Sequence, residues 1–235
     1  MLRSLLAFAL ISVPFFIRAA EEPGRALEGK VEGRVYVSPT GMFKVAIPVL
    51  PELGGEVTDT PNVVTFEDAF NIHTSIAAFP HDATQRWELA TRGQKDYLIY
   101  FFGNFVLADF KQSFQGVQIE SAKFIPSLLD GALLTYILVP GGTMFGDKIP
   151  QLGLSETIPV AKRGNLLFVK NGHIFVISIE LAERVLEGKA YKKTKDEEDE
   201  ILRQRLMDTV GKIQFAKLPT PAPAPAPAPV AEAKK

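Results

Sequence analysis

Cysteine is absent from the 235 residues of the sequence. Its absence excludes disulfide bonds, thiolate metal ligands, a cysteine nucleophile and a lipidated N-terminal cysteine. If the chain is exported, its fold must therefore be stabilised by packing alone.

An excess of charge of one sign is also absent. Lysine and arginine together number 26 and aspartate and glutamate 27, so the net charge is -1 and the pI is about 6.3. This balance gives no field that attracts nucleic acid or an anionic membrane, and we predict neither as a partner. The hydrophobic content of 46% and the charged content of 23% are ordinary for a soluble globular protein. The length allows one domain with appendages or two small domains.

Histidine is scarce, and common motifs of catalytic sites are missing. His73, His81 and His173 do not have metal-ligand spacing. No serine lies in a Gly-x-Ser-x-Gly elbow, and no dinucleotide-binding fingerprint is present. The sequence therefore predicts no metal, no cofactor and no catalytic residue. A two-histidine site or a Ser-His-Asp triad assembled by folding stays open, because such sites need not be close in sequence.

A hydrophobic run long enough to cross a membrane comfortably is missing too. Arg3 is followed by an apolar run over residues 5–17 and by Ala19-Ala20, which is the order of a secretory signal. The run is shorter than the roughly 20 apolar residues of a membrane span. We expect residues 1–20 to be a signal peptide and the mature protein to be periplasmic or secreted, without a transmembrane helix. An uncleaved anchor in the inner membrane is the alternative, because Arg18 makes the cleavage region imperfect.

The strongest local signal is Asn171-Gly172. This dipeptide is typical of a two-residue hairpin turn, which needs φ > 0 at both positions. The flanking arms, residues 166–169 and 174–177, are almost continuously apolar, as in strands that are covered on both faces. We predict that this hairpin is the central ribbon of a sheet. Glu180 and Glu183, which follow it, are interpreted as exposed charges.

Further segments predict an antiparallel sheet. Runs rich in β-branched and aromatic residues, bounded by turn residues, indicate strands at 35–38, 42–48, 63–67, 72–79, 118–125 and 132–139. Residues 49–61 contain prolines and glycines and are interpreted as a loop.

The first predicted helix begins at Asp82 or Thr84 and ends near Asp109. Its apolar residues recur at three- and four-residue spacing, and Trp87 belongs to this stripe. The aromatic second half is interpreted as packing on the sheet. A stripe that binds a partner is the alternative.

The second predicted helix covers residues 194–211. Thr194 is a plausible N-cap, and Glu197 stands at capping-box spacing. Acidic residues fill positions 196–200, where the helix dipole favours anions. We interpret this run as the electrostatics of a helix start rather than as a cation site.

The long connection over residues 140–159 contains the one candidate functional segment. Gly141 and Gly146 have part of the spacing of a phosphate-binding loop, but the residues that would hold phosphate and magnesium are replaced. Long loops are often functional, and this one is expected to expose Met144 and Phe145. The candidate partner-contact residues are Gly141, Gly142, Met144, Phe145, Asp147 and Lys148. A plain connecting loop is the alternative.

The order of these elements divides the chain into segments. Residues 21–34 are polar and are expected to form a flexible lead-in, and residues 35–216 the folded domain. Residues 217–235 are expected to be a disordered, Pro-Ala-rich tail, in which proline and alanine alternate over residues 219–230. This tract cannot form a packed core and should be extended and semi-rigid, of polyproline type. A spacer and a tail without a function are the two alternatives.

The stretch from Val35 to Pro48 has an aromatic residue, a turn with Gly41, a strand led by Phe43 and a terminal proline. It resembles the opening of PsbP-like domains. The later order of strands and helices is similar to the same α/β/α sandwich, which is shared with the Ran-binding Mog proteins and with bacterial exported domains. The resemblance implies accessory, assembly or binding roles and supplies no catalytic residues.

We therefore predict a single α+β domain, an α/β/α sandwich in which a central antiparallel sheet is flanked by helices. The predicted function is a non-enzymatic binding or accessory role in the bacterial cell envelope, with an unknown protein or envelope component as partner. A periplasmic hydrolase with a histidine and acidic site assembled in space is one alternative. A structural protein held in the envelope by an uncleaved N-terminal segment is another.

Overall fold

A computed structural model describes residues 26–146 and 158–217 of the chain. The predicted signal peptide, the Pro-Ala tract, and Asp147 and Lys148 of the candidate loop lie outside these residues.

The larger of two sheets has seven antiparallel strands in the order β4-β5-β6-β10-β9-β8-β7. The strands are β4 (Glu56–Asp59), β5 (Val63–Glu67), β6 (His73–Pro80), β7 (Gln118–Ile125), β8 (Ala132–Pro140), β9 (Val160–Lys170) and β10 (His173–Glu180). The interpretation of residues 49–61 as a loop is wrong at β4. This strand is short and lies at the edge of the sheet, and its exposed positions are polar, so it carries no apolar alternation that would reveal it.

The central hairpin is confirmed. Asn171 and Gly172 both have positive φ, at 51° and 70°, as the predicted turn requires. Successive residues of β9 and β10 face opposite sides of the sheet, and each side carries its own hydrophobic core. Leu166 belongs to one core and Leu167 to the other. The arms are continuously apolar because both of their faces are covered.

The smaller sheet has four strands in the order β1-β2-β3-β11. They are β1 (Lys30–Glu32), β2 (Val35–Val37), β3 (Phe43–Ala46) and β11 (Ile213–Phe215). The folded region begins earlier than predicted, because β1 lies within the expected lead-in and pairs with β2. All residues of β1 are exposed, so no apolar pattern marked it.

One face of the larger sheet is covered by a broken helix. Its parts are α1 (Ala83–Arg92), α2 (Gln94–Phe101), a π-helical turn over Phe102–Val106 and α3 (Leu107–Ser113). The N-cap at Asp82 is confirmed, because its side chain accepts a hydrogen bond from the backbone of Gln85.

The prediction of one continuous helix is wrong at Gly93. This residue has φ 75°, a conformation that ends α1 and that glycine adopts at little cost. Because of this break, the apolar stripe of α2 does not continue onto the same face of α1. Trp87, which was expected on that stripe, is 62% exposed, and α1 has no buried residue.

The other face carries the smaller sheet together with α4 (Ala182–Leu186) and α5 (Lys195–Lys212). The capping box at Thr194 and Glu197 is confirmed. Leu202 and Leu206 are fully buried and pack over Gly164 of β9, where a β-carbon would lie within 3.2 Å of both side chains. The predicted fold class, an antiparallel sheet flanked by helices, is thereby confirmed.

Candidate functional site

The predicted contact loop packs against the domain instead of exposing its apolar side chains to solvent. Phe145 is only 3% exposed, and Met144 is half-buried. Gly142 is buried against β8, where a β-carbon would stand 2.2 Å from Cγ1 of Val139. The expectation that the loop exposes Phe145 is therefore wrong, because the side chain packs inward.

A buried ion pair holds this loop. The carboxylate of Glu180 accepts hydrogen bonds from Oγ1 of Thr143 at 2.5 Å and from the backbone of Met144 at 3.0 Å. Arg163 donates to the carbonyl oxygen of Gly142 at 2.8 Å and lies 3.2 Å from Glu180. The interpretation of Glu180 as an exposed charge is wrong, since β10 continues to this residue and its side chain faces inward. Glu183 is half-buried and pairs with Arg205.

Arg163 is enclosed on every side. Its guanidinium lies 5.2 Å from the centre of the Phe110 ring of α3, as in a cation–π contact. Burial lowers the pKa of Arg163, and the charge of Glu180 opposes that shift. The arginine stays charged near neutral pH, because its ordinary pKa is so high. It therefore joins the sheet to the helix above it and to the loop.

A row of polar side chains crosses the same face of the sheet. Thr135, Asn165, Ser178 and Ser75 are cross-strand neighbours on β8, β9, β10 and β6, and all four are buried. Asn165 donates to Oγ1 of Thr135 at 3.4 Å. The core beneath the helices therefore contains a polar strip. No local pattern in the sequence predicts this strip, because its members are contributed by four strands that are distant in sequence.

His73 belongs to the end of this strip. It is buried, and its Nε2 lies 4.0 Å from Oε2 of Glu67 on β5. Burial first, and then the charge of Arg163, lower the pKa of His73 to about 3. The imidazole is therefore neutral near pH 7. A general base of such low pKa accepts a proton weakly at that pH.

The other two histidines lie near the turn of the central hairpin. Nε2 of His81 is 3.1 Å from the Tyr97 hydroxyl, which donates to Gln85 at 2.9 Å, and the backbone of His81 donates to Gly172. His173 pairs with Pro80, at the end of β6 opposite His73. Seven residues of strand separate those ends by about 23 Å. The fold therefore does not bring His73 and His173 together.

A second charged cluster lies on the face covered by α5. The ammonium of Lys162, fully buried, is 2.5 Å from a carboxylate oxygen of Glu120, 2.5 Å from one of Asp199 and 3.0 Å from one of Glu198. Burial lowers the pKa of Lys162, but hydrogen bonds to these three carboxylates outweigh burial and raise it overall. Lys162 is therefore charged, and it binds the start of α5 to the middle of the sheet.

The acidic run at the start of α5 thus has two roles. Glu197 caps the helix, as predicted. Glu198 is buried between Lys162 and Arg184, and Asp199 is shared between Lys162 and Lys195. The run does hold a cation, but that cation is an ammonium of the same chain. Nothing in the sequence pattern marks the partner, because Lys162 lies 36 residues away from Glu198 on a strand.

Three exposed apolar side chains lie on two adjoining loops at one edge of the larger sheet. Leu50 precedes a short 3-10 turn over Pro51–Leu53, and Leu53 is the last residue of that turn. Phe70 is at the tip of the β5–β6 turn, where it is 55% exposed. The backbone of Ala69 donates to the carbonyl of Leu53, so the two loops are joined. We name Leu50, Leu53 and Phe70 the edge patch.

The turn that carries Phe70 is held by one carboxylate. Oδ1 of Asp68 accepts hydrogen bonds from the backbone of Phe70 at 2.8 Å, Asn71 at 2.9 Å and Ile72 at 3.0 Å. An aspartate that binds several backbone groups in this way fixes a turn. Phe70 is therefore presented to solvent on a fixed backbone.

Within residues 26–146 and 158–217, no three histidine, aspartate or glutamate side chains are arranged to hold a metal ion. In the same part of the chain, no helix combines the length and the apolar character needed to span a membrane.

No protein-family model and no curated protein matches the chain. Among solved structures, it is similar to cyanobacterial PsbP (CyanoP) from Synechocystis, with 12% identity, 80% of this chain and 98% of that chain covered, and a TM-score of 0.47. It is also similar to a mutant of the protein Mog1, with 10% identity, coverage of 75% and 92%, and a TM-score of 0.43. A structure from Bacteroides thetaiotaomicron matches with 13% identity, coverage of 80% and 50%, and a TM-score of 0.40. The matched structures include both fold types named from the sequence, PsbP-like and Mog-type, and the likeness is one of fold alone.

Proposed function

We propose that this protein is an exported, non-enzymatic binding or accessory protein of the bacterial cell envelope. The edge patch is its contact surface for a partner protein. The observation that carries the proposal is the exposure of Phe70 on a turn that Asp68 holds with three hydrogen bonds. An aromatic side chain on a fixed backbone loses little conformational freedom when it is buried by a partner, and such residues dominate binding energy.

The buried charged residues of the larger sheet have a structural role in this proposal rather than a role in binding. Lys162 is matched by three carboxylates, and Arg163 and Glu180 hold each other and the loop after β8. These contacts join layers of the protein to each other. We therefore look for the contact surface among the exposed apolar side chains, of which Leu50, Leu53 and Phe70 are examples.

Crosslinking tests the proposed contact surface. In the full-length chain, Phe70 is replaced by a photo-crosslinking aromatic residue, and the protein is irradiated in intact cells. The matched control places the same group at Ile119, which is 48% exposed on β7 at the opposite edge of the sheet. We expect a discrete adduct with one envelope protein from position 70 alone, and its loss when Leu53→Ser is added. Equal adducts from both positions, or none from position 70, would overturn the proposal.

Export is supported by the sequence of residues 1–20 and is tested separately. Cell fractionation and mass spectrometry of the mature N-terminus should give a periplasmic or secreted chain that begins at Ala20 or Glu21. A chain that retains Met1 and sediments with membranes would favour the anchored alternative.

The second candidate function is a periplasmic hydrolase, and His73 beside Glu67 is the observation that favours it. Its test is hydrolysis of model ester and peptide substrates by the purified protein. Activity that is lost in His73→Gln and kept in His173→Gln would replace the binding proposal with the enzymatic one. The low pKa of His73, about 3, makes us expect no such activity near neutral pH.

A further inference from the structure

The polar strip beneath the helices contains two buried polar atoms that bond to no group of residues 26–146 and 158–217. Asn165 is fully buried, and Ser178 is 7% exposed. The amide of Asn165 donates a long hydrogen bond of 3.4 Å to Thr135, but among the described residues neither its Oδ1 nor Oγ of Ser178 has a partner. Buried polar atoms in folded proteins nearly always bind a protein group or an ordered water, because an unpaired one is costly.

The two side chains face each other across the central hairpin. Asn165 of β9 and Ser178 of β10 are directly paired. Hydrogen-bonded and non-hydrogen-bonded positions alternate from the Asn171-Gly172 turn, and this pair is a non-hydrogen-bonded one, in which side chains come closest. Their β-carbons are about 5 Å apart. One water that makes two hydrogen bonds of about 2.8 Å spans a gap of this size.

The residues around the pair suit a molecule of the size of water. Ser75 lies beside Ser178 on β6, and Ala77 follows Ser75 on the same face of the sheet. These side chains are short, whereas the helices above this face contribute rigid rings, including Phe102 and Phe110. The hydroxyl of Ser75 adds a third polar group, and waters inside proteins have two to four polar partners.

The chemistry of the site favours a neutral ligand that both donates and accepts hydrogen bonds. Oδ1 of Asn165 only accepts, whereas the hydroxyl of Ser178 can do either. Two residues further along the same strands, Arg163 pairs with Glu180, and their charges match each other. An ion bound beside them would add an uncompensated buried charge, which is costly. Water meets all of these conditions.

We propose that one internal water molecule is bound in the polar strip, between Asn165 and Ser178. It donates a hydrogen bond to Oδ1 of Asn165 and makes a second one with Oγ of Ser178. The water thus joins β9 to β10 through their side chains, at a pair whose backbones do not bond to each other. Globular proteins hold about one such water per 27 residues, so the site is of an ordinary kind. It is independent of the edge patch and of the proposed function.

Relaxation dispersion of the oxygen-17 signal of water tests the proposal, because it counts waters that stay inside a protein for longer than the protein takes to tumble. The test compares the native full-length protein with Ser178→Val, whose branched side chain takes the place of the water and offers it no hydrogen bond. We expect the dispersion amplitude per protein to fall by the contribution of one water. The matched control is Thr135→Val in the same strip. It should keep the native amplitude, because the Thr135 hydroxyl is bound to the amide of Asn165.

Urea unfolding of Ser178→Ala gives a second measurement, and the sign of the change decides. Removal of a hydroxyl that is bound to water lowers the urea midpoint, whereas removal of an unpaired buried hydroxyl leaves it unchanged or raises it. We expect a lower midpoint. A native dispersion amplitude in Ser178→Val, or a midpoint in Ser178→Ala that is equal to or above the native one, would overturn the proposal. Circular dichroism of each variant ensures that the comparison is made on folded protein.

Discussion

Lys162 and Arg163 are consecutive residues of β9, and their charged groups lie on opposite faces of the larger sheet. Lys162 contacts the acidic start of α5, whereas Arg163 lies against Phe110 of α3. Alternation along a strand places neighbouring side chains on opposite faces, so that one dipeptide joins both covering layers to the sheet. Buried ion pairs add little net stability but are costly to break. We therefore regard the two residues as determinants of how the layers are positioned.

Replacement of Lys162 by methionine should destabilise the protein strongly. The change leaves Glu120, Glu198 and Asp199 close together without the ammonium that neutralises them. We expect the free energy of unfolding to fall by about 3–5 kcal/mol. Urea denaturation measures the change. The control is Lys195→Met, which removes an exposed partner of Asp199 and should lower the stability far less, because exposed ion pairs contribute little. Similar losses from both variants would contradict this account.

His73 should make the stability of the protein depend on pH. The pKa of His73 is about 3 in the folded state and about 6.5 in the unfolded chain. Burial and the charge of Arg163 disfavour the protonated ring, even though a carboxylate oxygen of Glu67 lies 4.0 Å away. The unfolded state therefore binds more protons below pH 6.5. The contribution of His73 to the free energy of unfolding is fully present above pH 6.5. It is lost as the pH falls toward 3, by up to about 1.4 kcal/mol per pH unit.

The measurement is urea unfolding at a series of pH values between neutral and mildly acidic. In His73→Gln the decline of stability with falling pH should be shallower than in the native protein. His173→Gln serves as control, because that ring is half-buried at the hairpin turn. A residual slope is expected from His81, whose pKa burial also lowers. If His73→Gln and His173→Gln have the same slope, His73 is not the group responsible.

Among the elements, the loop after β8 has a conformation that is determined by its contacts with neighbouring residues rather than by the flexibility of its glycines. Gly142 lies against Val139 and Phe114, and its carbonyl is bound by Arg163. Its lack of a side chain permits a close approach of backbone to core. Its role is therefore steric, and flexibility is not needed to explain it.

Substitution of Gly142 by alanine should test this. The added methyl would stand 2.2 Å from Cγ1 of Val139, so that either β8 or the loop must shift. Overpacking of this kind costs about 1–3 kcal/mol. The matched variant is Gly146→Ala in the same loop, where no atom of the described residues lies within 4 Å of the added carbon, and it should be close to neutral. Thermal and urea unfolding of both proteins decide the point. A neutral Gly142→Ala would mean that the loop is not held as described.

At the scale of the whole molecule, the larger sheet separates two cores. One lies under the broken helix, and the other lies under α5 and the smaller sheet. β9 and β10 contribute to both, which explains how a chain without cysteine forms a stable interior. The exposed aromatic residues Phe70 and Trp87 belong to peripheral elements, outside this central unit.

The features that depend on local interactions could be predicted from the amino-acid sequence alone. The Asn171-Gly172 turn, the N-cap at Asp82 and the capping box at Thr194 follow from contacts among near neighbours, and their patterns are visible in a single stretch. The apolar arms of the hairpin likewise implied a sheet covered on both sides. These signals sufficed for the α+β class and for the position of the central ribbon.

Which charged and aromatic residues are buried depends on how the helices and strands pack, and local sequence patterns do not show it. Lys162 meets Glu198 across 36 residues, and Glu180 meets Thr143 across 37, so no local pattern could pair them. The same holds for Phe145, which folding buries, and for Trp87, which the break at Gly93 leaves in solvent. Burial of a side chain is fixed by the elements packed above it. That is a property of the assembled layers, whereas a turn or a cap is fixed by its own few residues.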